Sequence, residues 1–116
     1  MKTDFTIAVF EGDGIGPEIM APTVDLLSHL ARSGGYTLAF ADCPAGAAHY
    51  ARTGESLPET SLATARAADA ILLSAMGLPE VRYPDGTEIS PQIELRKKLD
   101  LFAGVRPVTV RPGQAS

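Results

Sequence analysis

The apolar residues of this chain switch repeatedly between a strand-like and a helix-like spacing. Residues 5–10 (FTIAVF) form a β-rich apolar run, long enough for a buried strand. Residues 11–17 (EGDGIGP) are punctuated by glycine and predict a loop. A helix follows, with Met20, Val24, Leu27 and Ala31 on one face and Leu26 and Leu30 widening the stripe. Pro17 suits its first position, whereas Pro22 removes a backbone donor, so the helix either starts or kinks there. Gly34-Gly35 end it, and residues 36–41 (YTLAFA) predict a second strand. An Ala-rich helix over 45–51 stops near Gly54, and Pro58 opens another that runs to about Ala68. Residues 69–76 (DAILLSAM) carry almost nothing polar on either face, the pattern of a central parallel strand. After a loop with Gly77, Pro79, Pro84 and Gly86, Ser90-Pro91 predicts a helix start, with Ser90 as cap and Ile93, Leu95 and Leu99 behind it. Residues 101–110 (LFAGVRPVTV) predict a last strand.

Strands alternating with helices imply an α/β fold with a parallel or mixed sheet over residues 1–116. A sheet of three or four strands leaves open edges, so something else is expected to cover them. The chain, at 116 residues, can hold one core but not two full domains. With 10 Lys+Arg against 14 Asp+Glu and a net charge of −4, it lacks the clustered cations of a nucleic-acid surface. No apolar stretch approaches the roughly 18 residues of a membrane span, and residues 1–10 carry no secretion signal. The single Cys43 cannot form an internal disulfide and is a poor start for a zinc site. Beside Pro44, it reads as a small buried apolar residue. The expectation is a cytoplasmic protein that handles something small.

Three groups of residues are candidates for chemistry. Gly12-Asp13-Gly14-Ile15-Gly16 lies between a strand and a helix, where glycines can admit a phosphate. The G-x-G-x-x-G spacing fails, however, because Pro17 stands where the third glycine belongs. Asp42, at the end of the second strand, occupies the place of a ribose-binding acid. The alternative is a turn that needs positive φ, with Asp13 bonding local backbone. Arg96 and Arg106 form the second group. Two guanidiniums converging on one carboxylate give planar, bidentate recognition. Equally, Arg96 could pair with Asp100 while Arg106 reaches solvent from an edge strand. Glu94–Lys98 and Arg96–Asp100 are both spaced for helix-surface ion pairs. Ser90 and Gln92 are the third group, read from position alone as a helix cap and a solvated helix residue. His29 and His49 have no second ligand nearby and read as core or surface residues.

Taken together, IAVFEGDGIGPEI (7–19), PAGAAHYARTGESLPE (44–59), DAILLSAMGLPE (69–80) and LRKKLDLFAGVRP (95–107) resemble the N-terminal portion of the isocitrate/isopropylmalate dehydrogenase family. The resemblance covers nearly the whole chain. It implies a partial sheet of the isopropylmalate dehydrogenase-like, non-Rossmann α/β type with flanking helices. It implies oxidation of a malate-type 2-hydroxy acid by hydride transfer to NAD or NADP, followed by decarboxylation, with Mg²⁺ or Mn²⁺ bound. Ile15, Ala75 and Gly77 match positions beside the cofactor, and Arg96 and Arg106 match two of three substrate arginines. Ser90 and Gln92 match positions that read the C3 substituent. Isopropylmalate members carry an apolar residue at the place of Gln92, so the expected substrate has a polar or absent C3 substituent. Gly77-Leu78-Pro79 replaces the usual Gly-Gly-Pro, and Gly104 stands where Asn is common. The family's catalytic Lys and Tyr, its metal-binding aspartates and its third arginine match nothing in 1–116, so the chain alone is expected to be catalytically inactive. Members are homodimers. The other reading is a stand-alone nucleotide- or metabolite-binding module without catalysis, and a blander one is a non-functional truncated product.

Overall fold

A computed structural model of the chain describes residues 1–114. Three parallel strands, β1 (Asp4–Phe10), β2 (Thr37–Asp42) and β3 (Ala70–Leu73), lie in the order β2-β1-β3. Asp4 to Val9 pair with Thr37 to Asp42, and Ile7 to Phe10 pair with Ala70 to Leu73. The remaining elements are α1 (Gly16–Gly34), α2 (Ala47–Thr53), α3 (Glu59–Ala67) and α4 (Pro91–Lys98). The expected α/β alternation is therefore present through α4, and β1 is the strand at which the winding changes direction. In such sheets the crevice beyond the carboxyl ends of the strands is where ligands bind.

The period-2 pattern of β1 sorts its side chains between two layers. Ala8 and Phe10 face Leu62 and Ala65 of α3, Leu95 of α4, and Cys43 and Ala45, and together these form the buried core. This core is built largely from small residues, which let the helices sit close to the sheet. On the other face α1 contributes Met20 and Ala31, both buried. Leu26 and Leu30 do not extend that stripe; they are 59% and 56% exposed. The helix runs through Pro22 rather than starting there, and ends at Gly35, whose φ of 75° is the left-handed cap.

Residues 69–76 do not form a central strand. Only Ala70–Leu73 pair, on one side alone, and the strand is partly exposed. An uninterrupted apolar run says that both faces want cover; it does not say how many neighbours the strand has. Residues 101–110 form no strand at all, and every one is exposed, with Phe102 at 95% and Val108 at 85%. β-propensity cannot act without a partner ladder, and Pro107 lacks a donor in any case. The chain turns away from the sheet at Asp100, whose φ of 53° is left-handed. Leu101 N–H then reaches Arg96 C=O at 2.9 Å and Asp100 N–H reaches Lys97 C=O at 3.3 Å, closing α4 as a glycine would. Ser90 occupies the N-cap position of α4, but its side chain makes no capping bond.

Among the described residues no helix is long and apolar enough to cross a membrane. One surface interaction pins the register of β3. Asp69 accepts from Lys2 Nζ and, at 2.8 Å, from Thr6 N–H, while Asp69 N–H donates to Thr6 C=O at 2.9 Å. Lys2 first, then Thr6 N–H, hold the Asp69 carboxyl below the usual carboxylate range. A depressed folded-state value contributes stability above the unfolded value, near 4, that is lost as pH falls through the lower folded one. Asp69→Asn should therefore flatten the fall in Tm below about pH 4, measured by thermal melts across the acid range. An unchanged slope would contradict this role.

Candidate functional site

The loop after β1 is organised by one buried carboxylate. Asp13 is 3% exposed. Its Oδ2 accepts from Ala47 N–H at 2.7 Å and from Gly77 N–H at 2.8 Å, and its Oδ1 accepts from Ala48 N–H at 2.8 Å. Its own N–H donates to Ala75 C=O at 2.8 Å. These partners lie 34, 35 and 64 residues away, so the expected local bonding holds only for the Asp13 C=O, which accepts from Gly16 N–H at 2.8 Å, and not for the side chain. The side chain caps the N-terminus of α2 from across the fold, which explains how Gly46, lacking a side chain, can open that helix.

The glycines of the motif serve this closeness. A Cβ on Gly12 would lie 1.9 Å from Ala75 O, and one on Gly16 would lie 2.1 Å from Glu11 O. A Cβ on Gly46 would lie within 2.9 Å of three Asp13 carboxylate atoms. At Gly12 and Gly16 the missing side chain admits backbone from the same chain, not a phosphate. Gly12 and Gly14 also have positive φ, at 76° and 58°, as the turn reading expects.

The three residues expected beside a cofactor meet at this knot. Ile15 is exposed at the entrance to α1. Ala75 C=O and Gly77 N–H both bond Asp13, and Ser74 Oγ donates to Gly16 C=O at 3.1 Å. These two main-chain groups are already engaged, so they offer a cofactor a shaped surface rather than these hydrogen bonds.

The expected substrate residues lie along α4. Ser90 and Gln92 join Met76, Gly77 and Leu78 in a cavity of about 200 Å³. Gln92 continues into a second cavity of about 210 Å³ with Leu73, Leu95 and Arg96. Arg96 continues into a third, of about 550 Å³, which Arg106 also lines. The four residues therefore sit along one chain of adjoining hollows. Arg96 does not pair with Asp100; of the two spaced ion pairs only Glu94–Lys98 forms, at 3.0 Å. The left-handed turn at Asp100 redirects the chain just where that pair would form. Neither Arg96 nor Arg106 makes an ion pair among the described residues. Arg106 is exposed, but on an irregular segment rather than an edge strand. The Gln92 carboxamide oxygen is buried without a hydrogen-bond partner.

The residues present do not fit a divalent metal. Among the described residues no group of three or more His, Cys, Asp or Glu is arranged to hold a metal ion, and Asp13 is consumed by backbone donors. No chemical step is assigned to a metal held by this chain.

The role of Asp13 was missed in the sequence because its partners are distant main-chain groups. A signal was nevertheless there: Pro44-Ala45-Gly46-Ala47-Ala48 opens a helix with no side chain able to cap it. Asp13→Ala strands one fully buried donor, Ala47 N–H, and frees two part-buried ones, so a loss of about 1–3 kcal/mol is expected. Asp13→Asn, keeping one acceptor oxygen, should lose less. Gly46→Ala should be severely destabilising in the native chain and less so on Asp13→Ala, because the clash is then gone while the strain of a φ of 112° remains. Urea midpoints of the four proteins test this. Equal costs of Gly46→Ala in both backgrounds would contradict it.

Similarity to known proteins agrees with this arrangement. Residues 6–116 match the family model for isocitrate/isopropylmalate dehydrogenase. The chain is 40% identical over 97% of its length to a 3-isopropylmalate dehydrogenase of Synechococcus elongatus, covering 31% of that protein. It is 42% identical over 95% of its length to a 3-isopropylmalate dehydrogenase of Thiobacillus denitrificans, again covering 31% of it. An apo crystal structure of a beta-decarboxylating dehydrogenase from Thermococcus kodakarensis superposes with a TM-score of 0.66 at 30% identity, over 84% of this chain and 27% of that one. The chain thus spans about a third of the length of the curated relatives it matches. With the family match running from Thr6 onward, and with the loops of that match gathered around Asp13 and α4, the chain belongs to the isocitrate/isopropylmalate dehydrogenase family.

Proposed function

We propose that these residues supply the substrate grip and part of the cofactor shelf of an NAD(P)-dependent β-decarboxylating dehydrogenase acting on a malate-type 2-hydroxy acid. The observation that carries this reading is the pair Arg96 and Arg106. Both are free of carboxylate partners among the described residues, and both line one open cavity that adjoins the Gln92 hollow. Two planar guanidiniums hold substrate carboxylates bidentately and fix the orientation of the reacting carbons. Ile15 and the Ala75–Gly77 backbone form a surface against which the nicotinamide lies. The cofactor supplies hydride acceptance when bound; this chain positions it. The divalent metal, Mg²⁺ or Mn²⁺, and the proton-transfer groups belong to parts of the family fold that these residues do not match. The 116 residues alone are accordingly expected to show no turnover, and the working enzyme is read as a cytoplasmic homodimer.

Ser90 and Gln92 face the C3 substituent in this reading. An isopropyl group against Gln92 would leave its carboxamide unpaired, at a cost of about 1–3 kcal/mol. Support comes from the buried Gln92 oxygen, which lacks a hydrogen-bond partner among the described residues. The substrate therefore carries a polar C3 substituent or none, unlike the substrate in the names of the relatives.

The reading is tested in a chimaera, with this chain replacing the matching third of the Synechococcus elongatus relative. Nicotinamide reduction should be faster on malate, tartrate or isocitrate than on isopropylmalate. Arg96→Gln and Arg106→Gln should each lower kcat/KM by roughly 10- to 100-fold, the equivalent of about 1.5–3 kcal/mol for a charged hydrogen bond. Gln92→Leu should shift preference toward isopropylmalate by roughly 10-fold or more. A chimaera preferring isopropylmalate, or indifferent to the arginines, would overturn it.

A further inference from the structure

A separate cavity of about 180 Å³ opens beyond the carboxyl ends of β1 and β2. Glu11 and Asp42 stand on its strand side, and His49 and Arg52 of α2 line it as well. Opposite charges that line one hollow usually pair. Here neither acid meets Arg52 within ion-pair distance among the described residues; Arg52 Nη2 instead lies 3.5 Å from His49 Nδ1. The acids and the guanidinium thus line one hollow without pairing with each other. The Cys43 thiol beside the cavity is pushed up by burial and then by the nearby Asp42 charge.

We propose that this cavity is a binding site for a ribosyl phosphate. The Asp42 and Glu11 carboxylates accept from vicinal hydroxyls, as an acid at the end of a second parallel strand does in other α/β folds. Arg52 takes the phosphate, for which its guanidinium is geometrically suited. The volume is below the roughly 300 Å³ of ordinary small-molecule pockets, so it suits a pentose phosphate rather than a whole dinucleotide. The Asp13 knot gives the site a fixed wall, since Ala48 both lines the cavity and donates to Asp13. This site is distinct from the α4 hollows and does not depend on the dehydrogenase reading.

The test is titration of the 116-residue chain with ribose 5-phosphate, followed by NMR shifts of the 42–52 amides. Saturable binding is expected, and 2-deoxyribose 5-phosphate should bind at least fivefold more weakly. Asp42→Asn should erase that difference between the sugars, and Arg52→Gln should weaken both at least tenfold. Both positions are exposed, so these variants should retain the native spectrum elsewhere. Competition with NAD then tells a cofactor-derived ribosyl phosphate from a separate metabolite, and either result supports the site. No saturable binding, equal affinity for the two sugars, or binding indifferent to Arg52 would overturn the proposal.

Discussion

A single carboxylate sets the geometry on which the rest depends. Asp13 gathers the N–H groups of Ala47, Ala48 and Gly77, so that the loop after β1, the start of α2 and the loop after β3 become one body. The Ala47 N–H is fully buried and would otherwise lose water without gaining a partner, and that penalty, more than any gain from one bond, anchors the arrangement. The arrangement also explains the glycines. Gly12 and Gly46 lie where a side chain would strike Ala75 or Asp13, and their φ values of 76° and 112° suit glycine.

From this knot outward, α1, β1 and the end of β3 have little freedom relative to one another. Ile15, Ala75 and Gly77 acquire fixed positions without making direct side-chain contacts among themselves. α4 is held differently, through Leu95 in the core, and projects Gln92 and Arg96 along the sheet edge. The rigid loop body and the α4 row meet at Gly77 and Gln92, which line the same hollow. A binding site made at such a seam is rigid on one side and open on the other.

The strand-helix alternation was readable from apolar spacing, and seven of the expected element positions fall within a few residues of β1, α1, β2, α2, α3, β3 and α4, although β3 is shorter than 69–76 and pairs on one side only. The failures share one cause. Leu26, Leu30, residues 69–76 and residues 101–110 are apolar beyond what the described chain can bury. Periodicity registers the demand for burial, not the partner that meets it. The chain covers only about 31% of relatives such as that of Synechococcus elongatus, and the excess apolar surface is consistent with a pattern written for a larger fold. At the candidate site the arginines were legible because two guanidiniums suit bidentate recognition of carboxylates and because LRKKLDLFAGVRP resembles a family segment. The cavity shared by Arg96 and Arg106 was not, since the chain reaches it through the left-handed turn at Asp100, a conformation rare outside glycine.

Amide hydrogen exchange of the native chain tests the central claim most directly. If Asp13 binds the three segments into one unit, Gly77, Ala47 and Ala48 exchange only through opening of the core, at rates close to those of the β1 amides. If Gly77 instead exchanges as fast as an amide in an open loop while β1 stays protected, the carboxylate does not hold the segments together and the account fails.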